Sequence, residues 1–231
     1  MEAGRLPREQ EVLIDQDPTA ARGEGWTPSD PGPLGLAAFA TTTFALSLVN
    51  ANLVTAKALP MVAMIALAFG GIAQLVAGIW EFRTGNTFGA VVFTAYGTFW
   101  ISFFFVVQLA LPKIPVADVG STLGLYLWTW TIFTIYIFIC SLRTTGAIVI
   151  TLALLVITFV LLAIGNSALA GTMSATNGTI KLGGYVGIAT AIAAWYTSFA
   201  GIITATFGRP LLPVFALNRP TADRDVGAAS R

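Results

Sequence analysis

A chain of 231 residues that is 56% hydrophobic and only 10% charged, with a mean hydropathy of +0.80, lacks the solvated shell of a soluble domain, where about a quarter of residues are charged. Its net charge of +1 gives no electrostatic footprint for a nucleic-acid partner. It has no histidine, which removes the commonest metal ligand and general base and speaks against metal chemistry and histidine proton relays. Its single cysteine, Cys140, leaves no intramolecular disulfide.

The chain opens with a polar stretch. Residues 1–29 hold three arginines and six carboxylates with no apolar run, so they read as a disordered cytoplasmic tail rather than a cleavable signal. Six apolar segments follow, at about 34–55, 60–80, 88–111, 122–142, 147–165 and 182–207. Each is near the ~20 residues that a bilayer span needs. Pro33 suits a first helical turn, and Pro60 and Pro112 punctuate the breaks. The expected fold is an all-α membrane protein of six transmembrane helices. Short turns make successive helices antiparallel neighbours. Residues 30–213 form the membrane domain and 214–231 a second cytoplasmic tail.

Basic residues orient the bundle. With an even number of spans, both tails lie on one side, with all nine arginines, while Lys57, Lys113 and Lys181 lie on the other. That bias places both termini in the cytoplasm. The outer lysines are solvated loop charges or a lure for small anions. The sequon Asn177-Gly178-Thr179 sits in the last outer loop and reads as a chance occurrence.

Polar residues inside a membrane face protein or water rather than lipid. The second span ends in Gly71, Gln74, Gly78 and Glu81, whose spacings of three, four and three share one helical stripe. The turn that follows carries Glu81, Arg83 and Asn86; Glu81 is expected to tie it through Arg83 or helix-end amides. In the third span Phe93, Tyr96 and Trp100 share a face, with Thr94 beside Tyr96. The first span has Phe39, Thr42 or Thr43, Leu46 and Asn50 on a stripe, and the fifth has Leu155, Thr158, Leu162 and Asn166. Such stripes, facing one another, make a narrow path with polar mouths. The plainer readings stand beside this one: Thr42 and Thr158 bonded back to their own helices, Asn50, Asn86, Asn166 and Gln74 joining helices, and the glycines serving close packing. Trp26, Trp80, Trp100 and Trp195 are interfacial anchors or packing residues. No nucleophile elbow, phosphate loop or paired intramembrane aspartates occur, so no enzyme and no cofactor is expected.

Together the motifs resemble the acetate uptake transporter family, the succinate–acetate permeases. The opening motif stands here as Asp30-Pro31-Gly32-Pro33-Leu34-Gly35-Leu36, and Gly70–Gln74, Glu81, Gly85–Gly89, Phe93–Trp100, Leu123–Leu127 and Ala163–Asn166 follow in order. Asp30 replaces the family's usual asparagine. The resemblance implies a pathway through each protomer, a homo-hexamer, and a constriction whose phenylalanine, tyrosine and leucine fall on Phe39, Tyr96 and Leu155. Gln74, Thr42, Thr94, Asn50, Asn86 and Asn166 are then the further pathway-lining candidates. The function implied is transport of acetate and related short monocarboxylates, with succinate a further substrate, across the plasma membrane. The alternatives are a hexameric sensor or scaffold for acetate adaptation, or a channel for another small solute such as ammonia or urea.

Tyr96 is expected to donate a hydrogen bond to the substrate carboxylate, while Phe39 and Leu155 set the bore. Stripping water from a carboxylate in an apolar collar costs several kcal/mol, and protonating it at neutral pH costs on the order of 3–4 kcal/mol. The two are comparable, so residue types alone leave anion flux and neutral-acid flux both open. Without histidine or acid pairs, the expectation is a channel-like path with no dedicated proton relay.

Overall fold

The computed structural model describes residues 28–172 and 176–217. Of the two expected tails it describes only residues 28–29 and 214–217, and Trp26 lies outside the described residues. Six helices are long and apolar enough to cross a membrane: α1 (Gly32–Asn50), α2 (Ala56–Thr84), α3 (Thr87–Lys113), α4 (Val116–Ser141), α5 (Gly146–Ser167) and α6 (Gly178–Phe207). The protein is therefore a multi-pass, all-helical membrane protein. Most spans outrun their apolar segments because capping residues carry the helix into the turns.

Each boundary has a local cause. Pro33 sits in the first turn of α1, where its missing N–H is no loss. α1 stops five residues before the expected end, and Asn52 turns the chain at φ 60°, a conformation asparagine tolerates. Gly85 closes α2 at φ 79°, and Asn86 opens α3 by accepting from the Gly89 N–H at 3.1 Å. Asn177 caps α6, accepting from the Ile180 N–H at 2.9 Å while its amide donates to the Gly165 carbonyl at 2.7 Å. Those two bonds occupy the sequon asparagine at both ends of its amide.

Two spans are not uniform. α2 is π-helical over Ala66–Ala73 and α3 over Val106–Ala110. A π turn carries an extra residue, so the 3.6-residue stripe drawn through Gly71 and Gln74 is rewound there. Gly71, Gln74, Gly78 and Glu81 nevertheless all remain buried.

Around the bundle α1 packs on α2, α2 on α3, α4 on α5, α5 on α6 and α6 back on α1. Small residues set these approaches: a Cβ on Gly97 would lie 2.7 Å from the Leu75 backbone nitrogen of α2. The α3–α4 pair departs from the expectation that successive helices pack closely. Their backbones stand apart, bridged by aromatic side chains. Phe99 packs edge-on to Trp130 and stacks on Tyr126, and Tyr96 packs edge-on to Phe133. Trp100 joins this core at 2% exposure rather than anchoring at the lipid boundary, whereas Trp80 is exposed.

Beyond α6 the chain turns at Gly208 (φ 67°) and folds back as a strap. Gly146 and Ala147, at the start of α5, donate their N–H groups to the Phe215 and Val214 carbonyls at 2.8 and 3.2 Å, and Leu217 N–H donates to the Thr144 carbonyl. Tyr196 donates its hydroxyl to the Pro213 carbonyl at 2.8 Å. The strap thus supplies acceptors for N–H groups that a helix start leaves without intrahelical partners.

Candidate functional site

The ring of helices encloses two cavities. The larger, about 600 Å³, opens on the side of the two chain ends. Its walls include Asp30 and Phe39 from the first helix and its lead-in, Gln74 and Glu81 from α2, Asn86, Phe93 and Tyr96 from α3, Leu152 and Leu155 from α5, and Pro210, Leu212 and Val214 from the strap. The smaller, about 130 Å³, lies toward the α1–α2 and α3–α4 turns. Thr43, Asn50, Trp100, Tyr126, Thr158 and Asn166 are among its lining residues. Phe39 and Leu155 are the two residues common to both linings.

The apolar wall between the cavities is built from three helices. Phe39 is 6% exposed, Leu155 3% and Tyr96 1%. The Phe39 and Tyr96 rings lie 5.7 Å apart at 52°. The Tyr96 hydroxyl does not stand free. It donates to Thr134 Oγ1 of α4 at 3.0 Å, and Thr134 in turn donates to the Trp130 carbonyl at 2.7 Å. The hydroxyl's proton is therefore committed, and only its lone pairs face other groups.

The remaining sequence candidates divide. Gln74 lines the larger cavity, fully buried, with neither amide atom hydrogen-bonded. Asn86 lines it too, and its amide donates to Glu81 Oε2 at 2.9 Å. Thr84 Oγ1 lies 3.1 Å from that oxygen and 2.9 Å from the Glu81 carbonyl, its nearer acceptor. Glu81 is 2% exposed, and the turn is held by these amide and hydroxyl donors rather than by Arg83, which is exposed. Asn50 and Asn166 line the smaller cavity, the latter donating to the Leu162 carbonyl at 2.8 Å. Thr42 and Thr94 line neither cavity. Thr42 donates to the Ala38 carbonyl at 3.0 Å and faces Gly70 of α2. Thr94 donates to the Ala90 carbonyl and stands against Gly78.

Two residues of the predicted stripes bring unpaired polar atoms to the smaller cavity. Thr43, the other member of the Thr42-or-Thr43 choice, lines the smaller cavity with its hydroxyl unpartnered, as does Trp100 with its indole nitrogen. The strap residues carried a signal: Leu211, Leu212, Val214 and Phe215 make residues 209–217 too apolar for a solvated tail. Asp30 and Glu81 bring two carboxylates to the larger cavity, and among the described residues no lysine or arginine lines it. Among the described residues no group of three potential metal ligands comes together.

Comparison with known proteins follows the same outline. The model of the GPR1/FUN34/yaaH family matches residues 16–219. Acetate permease A of Emericella nidulans is 37% identical over 195 residues, which are 80% of this chain and 65% of that protein. The chain thus spans just under two thirds of the fungal relative's length. The succinate-acetate/proton symporter SatP of Escherichia coli is 34% identical over 188 residues, covering 80% of this chain and 95% of that one. A solved structure of the bacterial acetate channel SatP superposes with a TM-score of 0.72 at 32% identity, covering 81% of this chain and 99% of the other.

Proposed function

The chain belongs to the GPR1/FUN34/yaaH family, whose relatives above are named as permease, symporter and channel and not as enzymes, and from that premise we propose that it moves acetate and related short monocarboxylates, succinate among them, across the membrane. The path runs from the larger cavity, past Phe39, Tyr96 and Leu155, into the smaller one. The observation that carries this reading is the meeting of two cavities at Phe39 and Leu155 alone.

The constriction selects by shape and dryness. Phe39 and Leu155 offer only apolar surface, so a solute must shed water to pass. The Tyr96 hydroxyl can donate to a carboxylate only if its bond to Thr134 opens. Gln74 and Asn86 on one side, and Asn50 and Asn166 on the other, supply the polar contacts that replace lost water. Thr42 and Thr94 act through packing against α2 instead.

The same proposal carries the assembly and the address. It is a homo-hexamer in the plasma membrane, with both termini cytoplasmic and the arginine-bearing turns on the cytoplasmic side. α4 supports it by leaving Leu125, Ile132 and Ile139 exposed for lipid or a neighbouring protomer.

Labelled acetate uptake into proteoliposomes tests the pathway. Leu155→Ala is expected to raise flux several-fold and to let longer acids compete, and Tyr96→Phe to alter flux by loosening α3 from α4. Unchanged flux and unchanged selectivity in both variants overturn the constriction. Wild-type vesicles that take up no more acetate than protein-free ones overturn the transport reading and favour a sensor or scaffold.

A further inference from the structure

We propose that the larger cavity passes its substrate inward as the neutral carboxylic acid, and that Glu81 is the group that holds and exchanges the proton. The proposal rests on the reading of the cavity as a carboxylic-acid pathway. It replaces the expectation of a path without a proton-handling residue.

The charges around the cavity come first. Asp30 stands at the rim, its Oδ1 held by the Gly32 N–H at 2.8 Å, and Glu81 lies deeper. Among the described residues, the groups facing Glu81 from the lead-in to α1, from α3, α5 and α6, and from the strap include no cation. A carboxylate entering here meets the Asp30 charge at the rim and no described counter-ion, an arrangement that disfavours the ionised form. A neutral acid meets no such barrier.

Glu81 is also unevenly satisfied. Oε2 accepts from Asn86 Nδ2 at 2.9 Å and lies 3.1 Å from Thr84 Oγ1, whose single proton has a nearer acceptor in the Glu81 carbonyl at 2.9 Å, while no described group hydrogen-bonds Oε1. A protonated carboxyl fits this arrangement, since its O–H can serve the Thr84 oxygen or face the cavity. Glycine at position 89 makes room for it, since a Cβ there would lie 2.8 Å from the Glu81 carboxyl carbon.

The independent observation is Gln74. Its amide is fully buried, lines the same cavity and has neither its Nε2 nor its Oε1 paired. Buried amides without partners are rare and call for an explanation. A primary amide presents a donor and an acceptor side by side, and a carboxylic acid presents the same pair in reverse. Two parallel hydrogen bonds therefore satisfy both groups. A carboxylate offers acceptors only and leaves the amide oxygen facing negative charge. The match holds whichever way the amide is turned. Gln74 lies seven residues before Glu81 on α2, about 10.5 Å along a helix axis, so the acid travels two turns between them. Beyond it, the Tyr96 hydroxyl has its proton committed to Thr134 and presents lone pairs, which accept from an acid O–H.

The exchange balances. The Glu81 carboxyl O–H bond breaks and an O–H bond forms on the incoming carboxylate. The neutral acid moves on to Gln74 and through the apolar wall, and the Glu81 carboxylate takes a proton back from water at the cavity mouth. Run in reverse, the same steps release a carboxylate and a proton on that side. One proton accompanies each acid.

Glu81→Gln tests this, because an amide keeps an oxygen to accept from Asn86. Uptake of labelled acetate into proteoliposomes is measured across pH at a fixed concentration of undissociated acid, with protein-free vesicles subtracted. The wild type is expected to show a pH limb beyond the acid's own titration, and Glu81→Gln to lose that limb, cutting gradient-driven uptake at least several-fold. Gln74→Met, of similar volume, is expected to lower uptake several-fold with the limb retained. A Glu81→Gln profile that superposes on the wild type overturns the proposal while leaving acetate transport intact. A second readout does not need flux. Acidification is expected to raise an infrared band of a protonated carboxyl that shifts with acetate and is missing from Glu81→Gln. If no such band is lost, Glu81 is not the proton site, whatever the transport result; a wild type that carries no acetate removes the premise instead.

Discussion

Tyr96 shows how one atom's partner changes a residue's meaning. Its place on a buried stripe was legible, because aromatic and small residues recur at helical spacing through Phe93–Trp100. Its hydrogen bond was not, since Thr134 stands 38 residues away on a helix whose backbone α3 approaches at few points. If the bond ties α3 to α4, Tyr96→Phe and Thr134→Val each cost about 1 kcal/mol of stability, and the double variant costs little more than either. Thermal unfolding in detergent reads this. The Thr42-or-Thr43 ambiguity is a similar case: one residue is a 100° rotation on a helix, and only the positions of α2 and α3 decide which hydroxyl meets a cavity. Asn177 was read as a chance sequon, and its amide proves to be spent on a cap and on the Gly165 carbonyl. Asn177→Ala is expected to lower stability by about 1–2 kcal/mol.

At the scale of elements, six spans were legible from hydropathy because a bilayer demands a run of fixed length. The interior of a span was not. Nothing in Ala66–Ala73 announces a π turn except a pair of glycines, and tertiary packing decides whether they rewind the helix. Close approach is easier to test. Gly78 of α2 abuts the Thr94 backbone, and a Cβ there would collide with main-chain atoms that cannot swing aside. Gly78→Ala is expected to cost about 1–3 kcal/mol, visible as a lower melting temperature, whereas Gly178→Ala, which meets nothing within 4 Å, is not expected to collide. The strap behind α6 runs past residue 213, where the membrane domain was expected to end, because its carbonyls cap the start of α5. Ending the chain at Arg209 is expected to strip acceptors from the Gly146 and Ala147 N–H groups, to lower the melting temperature, and to relax size selection at the larger cavity. Competition between labelled acetate and longer monocarboxylates measures the last effect.

For the whole molecule, the two cavities are unequal, about 600 Å³ against about 130 Å³. On the proposed pathway the wide side pools solutes and the narrow side admits them in single file, and the proposed orientation, from the distribution of arginine and lysine, turns the wide side to the cytoplasm. With Cys140→Ser as background, Lys113→Cys is expected to react with an impermeant thiol reagent added to intact cells, and Arg143→Cys only after the membrane is opened. The reverse pattern inverts the topology.

Phe215 adopts φ 56°, a backbone region that a bulky side chain enters at a cost, and its carbonyl is bonded to the start of α5. A load placed on the chain beyond Leu217, whether a bound protein or a bulky adduct, acts on a strap that forms part of the vestibule's rim, and so reaches the throat.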